Sequence, residues 1–239
     1  MRNLYVRSLA IDWDRIPAGS YLRDIPALRG LDWLDFRQNV TLLTGENGSG
    51  KSTLLEAMAV ALGFSAEGGT RNIRFSTYDD VSELSEAVRL VRGPVKPAAG
   101  FFFRAESFFN VATAIMQKYN DDGQLPDYHA ESHGESFLSF MQRADENGIY
   151  LMDEPEAALS PQRQLSLLIH IARMARAGAQ FIIATHSPIL LGIPDAEILA
   201  FDGTGVHPCE WDDTESVRVT KLFLESPARM IRMLLSDES

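Results

Sequence analysis

The sequence predicts an α/β fold in which helices cover both faces of a mainly parallel sheet. Short apolar runs alternate with helix-like segments along much of the chain, an order typical of parallel sheets. A glycine-rich loop follows one apolar run and leads into a helix, and polar residues directly follow two later runs. Strand ends meet at one edge of a parallel sheet, where ligands bind. We therefore expect a ligand site at that edge.

The first part of the chain predicts a small antiparallel N-terminal part, the glycine-rich loop and a buried helix. Residues 4–11 are β-prone and indicate an edge strand, whereas residues 16–37 contain several prolines and glycines and indicate a loop with a short strand. The apolar run 39–44 predicts a buried strand, and residues 52–62 predict a buried helix. Residues 82–91 place apolar side chains on one helical face and predict a short amphipathic helix before a Gly-Pro pair.

The middle of the chain predicts a short helical lobe. Residues 100–103 form an apolar run and predict a short strand, residues 107–119 have a helical pattern, and residues 120–134 are polar and loop-like. We expect a lobe over about residues 80–147, inserted into a single domain that spans residues 1–239.

The last part of the chain predicts strands and helices in alternation. Ser160 suits a helix N-cap, Pro161 suits the first turn, and Gly178 ends that helix. A closing amphipathic helix is predicted over residues 227–235. Apolar runs predict buried strands over residues 148–152, 180–184 and 198–201. The inner stripe of the first helix is predicted to be Leu165, Leu168, Ile169 and Ala172.

Composition excludes several classes of protein. No stretch approaches the roughly 18 apolar residues of a membrane span, and the first residues mix charges into their apolar run, unlike an export signal. The lone cysteine, Cys209, cannot form an internal disulfide, so a cytoplasmic location is expected. The formal charge of −11 opposes non-specific binding to nucleic acid, although a local basic groove remains open.

The glycine-rich loop matches G-x-x-x-x-G-K-[ST] in full and predicts a phosphate-binding loop. Its glycines let successive backbone N–H groups point into one concavity, and the following helix adds the positive end of its dipole. Lys51 would place its charge on the β- and γ-phosphates of a nucleotide, and the Ser52 hydroxyl would bind Mg²⁺. The predicted nucleotide contacts in this loop are Gly45, Glu46, Asn47, Gly48, Ser49, Gly50, Lys51, Ser52 and Thr53.

Two carboxylates follow the apolar run 148–152. Such groups are costly at the end of a buried strand unless they are solvated, paired or bound to a metal. Asp153 is therefore predicted to hold the Mg²⁺ of the nucleotide, usually through water. Glu154 is predicted to orient and deprotonate the water that attacks the γ-phosphate.

His186 follows the apolar run 180–184, one helix and one strand after Asp153. In a right-handed parallel βαβ unit it returns to the same sheet edge as the two carboxylates. We therefore predict that His186 senses the γ-phosphate.

Four segments together resemble the nucleotide-binding fold of the ATP-binding-cassette (ABC) ATPases. They are GENGSGKS, YLMDEPE, AALSPQRQ and ATHSP. Within that superfamily the chain is most similar to small soluble bacterial ATPases of the AAA family, which are related to the heads of chromosome-organising and break-repair ATPases. The similarity extends over nearly the whole chain and implies a P-loop NTPase of ABC type, with ATP and Mg²⁺ as ligands.

The resemblance also implies an ATP-dependent homodimer with two composite sites. In the superfamily, an LSGGQ signature from a second subunit closes over the ATP. Ser132, Gly134 and Glu135 lie in a similar SHGE segment, in which a histidine replaces one glycine. These residues, together with the turn 158–160, would contact the nucleotide of the partner subunit. ATP binding would then close the dimer and hydrolysis would open it.

The chain departs from the family pattern at two places. The glutamine that contacts Mg²⁺ in the superfamily has no clear match, because GFFFRAES offers Arg104, Glu106 and Ser107 there. Our hypothesis is that Glu106 or Ser107 replaces it. Ser160 stands where related proteins often carry aspartate, and a role as a plain helix cap explains it adequately.

Other functions remain open at this point. An ATP-binding subunit of a membrane transporter would normally carry the missing glutamine. Chromosome-organising heads insert long coiled coils between the phosphate loop and the signature, whereas about 80 residues without heptads separate them here. An ATP-controlled binding or signalling module with slow hydrolysis, in DNA repair or defence, is a further alternative. Turnover without any partner would separate that module from a true ATPase.

Overall fold

A computed structural model of the chain describes residues 4–70, 82–105 and 133–236. Its strands are β1 Val6–Ile11, β2 Trp33–Asp35, β3 Val40–Gly45, β4 Val88–Arg92, β5 Ala99–Arg104, β6 Gly148–Asp153, β7 Gln180–Ala184, β8 Glu197–Asp202 and β9 Gly205–Pro208. Its helices are α1 Lys51–Leu62, α2 Leu84–Ala87, α3 His133–Gln142, α4 Pro161–Ala177, α5 Glu215–Glu225 and α6 Pro227–Ser236. Within the described ranges, no helix is long and apolar enough to span a membrane.

The larger sheet has the strand order β5-β6-β7-β3-β8-β9. The five strands from β5 to β8 in this order are parallel, and only β9 runs antiparallel to its neighbour. This confirms the predicted α/β fold with a mainly parallel sheet. Because β7 lies between β3 and β6, the carboxyl ends of three adjacent strands meet at one edge.

The smaller sheet is antiparallel and has the order β2-β1-β4. It confirms the predicted antiparallel N-terminal part, but β1 is its central strand, so the prediction of an edge strand was wrong. The helix predicted over residues 82–91 was also wrong beyond Ala87, because residues 88–92 form β4. Their side chains alternate between burial and exposure from Val88 to Leu90, and the backbone pairs with β1. The short Val-Leu pattern is compatible with the period of a helix and with that of a strand. Hydrogen bonding to the β1 backbone decides in favour of the strand.

Two hydrophobic cores lie on opposite faces of the larger sheet. On one face, α1 and the smaller sheet pack over residues such as Leu43 and Leu151. On the other face, α3 and α4 pack over residues such as Leu42 and Ile183. Consecutive residues Leu42 and Leu43 therefore point to different cores, as the strand period of two requires.

The predicted inner stripe of α4 was only partly correct, because Leu168 packs half-buried against the core but two other predicted residues do not. Leu167, Ile171 and Met174 are buried, whereas Leu165 and Ile169 are 50% and 58% exposed. Both sets repeat at helical spacing, since the helix is apolar on two sides, and packing against the sheet selects one of them. Ser160 does occupy the N-cap and Gly178 the C-cap, although the Ser160 side chain makes no capping hydrogen bond.

The remaining differences lie in the middle and at the end of the chain. Of the predicted lobe, residues 88–92 and 99–104 are strands of the two sheets, and α3 begins at His133, inside the loop predicted for residues 120–134. The helix predicted over residues 107–119 lies outside the described residues. The closing helix is present as α6, but α5 and β9 were not predicted.

Gln180, at the start of β7, links the two sheets. Its Oε1 accepts hydrogen bonds from the backbone N–H groups of Tyr5 and Val6, each at 2.9 Å. Its Nε2 donates to the Val6 carbonyl at 2.8 Å, and the side chain is fully buried. This side chain thus supplies buried hydrogen-bond partners to the backbone at the start of the smaller sheet.

We expect Gln180→Leu to lower the free energy of unfolding by at least about 3 kcal/mol, because three backbone groups lose a partner and each buried polar group left without one costs about 1–3 kcal/mol. Urea unfolding followed by circular dichroism measures this change. Gln162→Leu, at an exposed position in the first turn of α4, is the matched control. Equal stabilities for the two variants would show that Gln180 does not hold the sheets together.

Candidate active site

The phosphate-binding loop connects β3 to α1 and needs its glycines. Gly45 has a φ of +144°, and a Cβ there would lie 2.2 Å from the carbonyl oxygen of Phe201 in β8. Gly50 has a φ of +96°, and a Cβ there would lie 2.9 Å from the side chain of Leu28. Any larger residue would clash or strain the backbone at these positions. The loop therefore keeps the tight curvature that a phosphate cradle requires.

Lys51, the first residue of α1, is buried against this loop. Its Nζ donates to the carbonyl oxygens of Gly45 and Glu46 at 2.7 and 2.8 Å. Lys51 is only 4% exposed. Burial lowers the pKa of the ammonium, while the nearby carboxylates, Glu154 foremost, oppose that shift. The result is a desolvated cation inside the loop, the arrangement that favours binding of an anion.

Ser52 and Asp153 come together from different elements. The Ser52 hydroxyl donates to Asp153 Oδ1 at 2.8 Å, which links the start of α1 to the end of β6. Asp153 is 7% exposed. Oxygen atoms of a hydroxyl and a carboxylate are the hard donors that Mg²⁺ prefers, and Mg²⁺ in nucleotide sites takes few protein ligands besides phosphate. The two residues thus suit the metal role predicted for them.

Glu154 and His186 lie next to each other at the open edge of the sheet. The backbone N–H of Glu154 donates to the Ala184 carbonyl at 2.9 Å, and Glu154 has a left-handed φ of +48°. Its Oε1 lies 3.7 Å from His186 Nε2, and the two side chains are 46% and 35% exposed. Left-handed backbone is uncommon for a glutamate and is often found at functional sites.

The Nε2 atom of His186 is itself buried and has no hydrogen-bond partner among the residues that the structure describes. A buried ring nitrogen without a partner is costly. An acceptor or donor supplied by a ligand would satisfy it.

Glu156 positions the end of β7, a role that the sequence did not reveal. Its Oε1 accepts the backbone N–H groups of His186 and Ser187 at 2.6 and 3.1 Å. Ser187 in turn donates from its hydroxyl to Gln164 Oε1 at 2.6 Å. Glu156 was visible only as a third acid after the buried strand, and nothing in the sequence shows that it reaches across to β7.

An open cavity of about 740 Å³ lies beside the phosphate loop. Loop residues 45–49 and His186 form part of its wall, and the start of α5 forms another part. Within the loop, Glu46, Asn47 and Gly48 are exposed, whereas Ser52 and Thr53 are half-buried at the start of α1. The loop therefore faces space that a ligand or another protein surface can enter.

The structure brings the predicted residues Lys51, Ser52, Asp153, Glu154 and His186 to one edge of the larger sheet. The predicted signature residues are not tested in the same way. Gly134 and Glu135 lie in the first turn of α3, for which the backbone alone is described, and Ser132 lies outside the described residues. The proposed glutamine replacements Glu106 and Ser107 also lie outside them.

Sequence comparison matches the chain to two family models. Residues 19–119 match a family described as "AAA domain". Residues 115–192 match a family described as "AAA domain, putative AbiEii toxin, Type IV TA system". No curated protein matches the chain.

Among solved structures, the chain is similar to the SMC head domain from Thermotoga maritima. The two are 15% identical with a TM-score of 0.45, and the match covers 88% of this chain and all of that domain. The two AAA matches include the phosphate loop and the strand ends that carry Asp153, Glu154 and His186. The phosphate loop, the acidic strand end and the two AAA family matches together identify the chain as a P-loop ATPase.

Proposed function

We propose that the protein is a Mg²⁺-dependent ATPase of ABC type that hydrolyses ATP between two head-to-tail copies of itself. The observation that supports this most directly is the partly exposed pair Glu154 and His186 beside a buried Lys51. Lys51 supplies a buried cation for the phosphates, and Glu154 supplies a carboxylate that can accept a proton and is partly exposed.

The phosphate loop and Lys51 bind the triphosphate in this proposal. The loop N–H groups and the start of α1 attract the anion, and the Lys51 ammonium exchanges its carbonyl partners at Gly45 and Glu46 for phosphate oxygens. This exchange is favourable because a hydrogen bond between two charged groups is stronger than one to a neutral carbonyl.

Ser52 and Asp153 would hold the Mg²⁺ ion. When bound, Mg²⁺ neutralises the charge that develops on the phosphate oxygens. The Ser52 hydroxyl donates to Asp153 Oδ1, which holds these two oxygen ligands together at the start of α1 and the end of β6.

Glu154 is the general base. Its carboxylate takes a proton from water as the water oxygen bonds to the γ-phosphorus and the bond from that phosphorus to the β–γ bridging oxygen breaks. The products are ADP and phosphate. His186 supplies its unpartnered Nε2 to the γ-phosphate, and Glu156 holds the His186 backbone for that contact.

A second copy completes the site. The side chains of Glu154 and His186 are partly exposed and loop residues 46–48 are exposed, so one chain leaves one side of the proposed nucleotide site open. Ser132, Gly134 and Glu135 of the other copy, together with its turn 158–160, are proposed to cover the opposite side. Such closure excludes water and strengthens every electrostatic contact with the phosphates.

The dependence of hydrolysis on protein concentration tests this proposal. Specific ATPase activity should rise with protein concentration until the dimer saturates, and EDTA should abolish it, because each site needs two chains and Mg²⁺. Activity that is independent of both protein concentration and Mg²⁺ would contradict the composite, metal-dependent site. Tight ATP binding with negligible turnover at every concentration would instead identify an ATP-controlled binding module.

A further inference from the structure

Arg104 forms an ion-pair cluster with Glu56 and Asp153, which we call the Arg104 cluster. Arg104 ends β5 and lies opposite Asp153, the last residue of β6, in the register of the parallel pair. Its NH1 lies 2.7 Å from Glu56 Oε2, and its Nε lies 3.7 Å from Asp153 Oδ2. NH1 also donates to the Ala66 carbonyl at 3.2 Å. The guanidinium is thus held from three sides.

The cluster is largely removed from solvent. The side chains of Glu56 and Asp153 are 13% and 9% exposed, and that of Arg104 is 26% exposed. Buried carboxylates are costly unless a cation compensates them, and one guanidinium here compensates two. Without Arg104 the two carboxylates would lose the guanidinium that they share, and the Lys51 ammonium would be the nearby cation for Asp153.

Both carboxylate oxygens of Asp153 have a partner in this arrangement. Oδ1 accepts the Ser52 hydroxyl, and Oδ2 faces the Arg104 guanidinium. A divalent cation that approaches Asp153 must therefore compete with a fixed positive charge. In the part of the chain that the structure describes, no group of three or more His, Cys, Asp or Glu side chains could hold a metal on its own.

We propose that Arg104 is an internal cation that keeps Asp153 and Glu56 from binding a divalent cation in the absence of nucleotide. Arg104 repels a divalent cation that the carboxylates attract. The phosphates of ATP add negative charge and oxygen ligands that outweigh this repulsion, so the metal binds only together with the nucleotide. This inference rests on the proposed Mg²⁺-dependent function and assigns Arg104 a positioning role. It gives a function to one of the three residues that stand near the place of the missing glutamine.

Binding of Mn²⁺ to the nucleotide-free protein, measured by electron paramagnetic resonance, tests the proposal. Arg104→Gln should bind one Mn²⁺ at least about tenfold more tightly than the unmodified chain, because a unit charge near the carboxylates is removed. Arg104→Lys keeps the charge and should bind Mn²⁺ as weakly as the unmodified chain. Adding Glu56→Gln to Arg104→Gln should remove the gain.

The matched control is Arg89→Gln, which removes an arginine from an exposed pair with Asp12. An Arg104→Gln protein with unchanged Mn²⁺ affinity, or an equal gain in Arg89→Gln, would overturn the proposal. If Arg104→Gln does not fold, the single variant Glu56→Gln provides the test. It leaves Arg104 with Asp153 alone and should weaken Mn²⁺ binding several-fold in the presence of ATP, and unchanged or tighter binding would refute the role.

A separate measurement distinguishes this inference from the proposed function. The unmodified chain should bind Mn²⁺ when ATP is present. If the unmodified chain does not bind Mn²⁺ with ATP, but Arg104→Gln still binds it more tightly without nucleotide, the Mg²⁺-dependent function is contradicted. The electrostatic role of Arg104 then stands. If the unmodified chain binds Mn²⁺ with ATP but Arg104→Gln shows no gain without nucleotide, the proposed role of Arg104 is refuted and the Mg²⁺-dependent function stands.

Discussion

Glu154→Gln is expected to lower kcat for ATP hydrolysis by about 10²–10⁴-fold, the usual contribution of a general base. The amide has nearly the same shape as the carboxylate but does not accept the proton of the attacking water. Lys51, Ser52 and Asp153 are unchanged in this variant, so ATP should still bind. Phosphate release in steady state measures kcat, and isothermal titration with ATP measures the affinity.

Glu146→Gln is the matched control for this prediction. Glu146 is exposed in the loop before β6, so its replacement makes the same chemical change away from the site. Its kcat should equal that of the unmodified chain. A Glu154→Gln protein with normal kcat would assign the proton transfer to another group.

Lys51→Ala is expected to weaken ATP binding by about 10²-fold, because hydrogen bonds to charged groups contribute up to about 3 kcal/mol each. The Lys51 ammonium is buried within the phosphate loop, where water screens its charge poorly. Equilibrium titration with a fluorescent ATP analogue, competed by ATP, measures the dissociation constant.

Lys221→Ala serves as the control for that change. Lys221 lies on α5 and pairs with Asp212, and half of its side chain is exposed. Because Lys51 also donates to loop carbonyls, thermal unfolding of both variants should be compared to separate lost binding from lost stability. A folded Lys51→Ala protein that binds ATP normally would refute the assignment of the phosphate loop.

The sequence predicts the core of the site well because local patterns determine it. The bounds of β7 agree with the predicted strand 180–184, and β6 ends one residue later than predicted, at Asp153. The phosphate loop combines a strict motif with glycines at strained positions such as Gly45. The strands and the phosphate-loop motif each depend on consecutive residues, so they can be predicted without knowledge of distant contacts.

The sequence does not reveal partners that tertiary structure selects. Arg104 is one of three residues near the place of the missing glutamine, but its pairing with Glu56 connects residues 48 positions apart. Gln180 contacts backbone groups at the other end of the chain, and Glu156 reaches across to β7. Likewise, the two apolar stripes of α4 have the same period, and only packing against the sheet decides which is buried.

The central claim, an ATP site completed by a second copy, is tested most directly by the mass of Glu154→Gln in solution. Light scattering should give the monomer mass without nucleotide and twice that mass with ATP and Mg²⁺, because the nucleotide is retained and holds the two copies together. A monomer with ATP demonstrably bound would contradict the composite site.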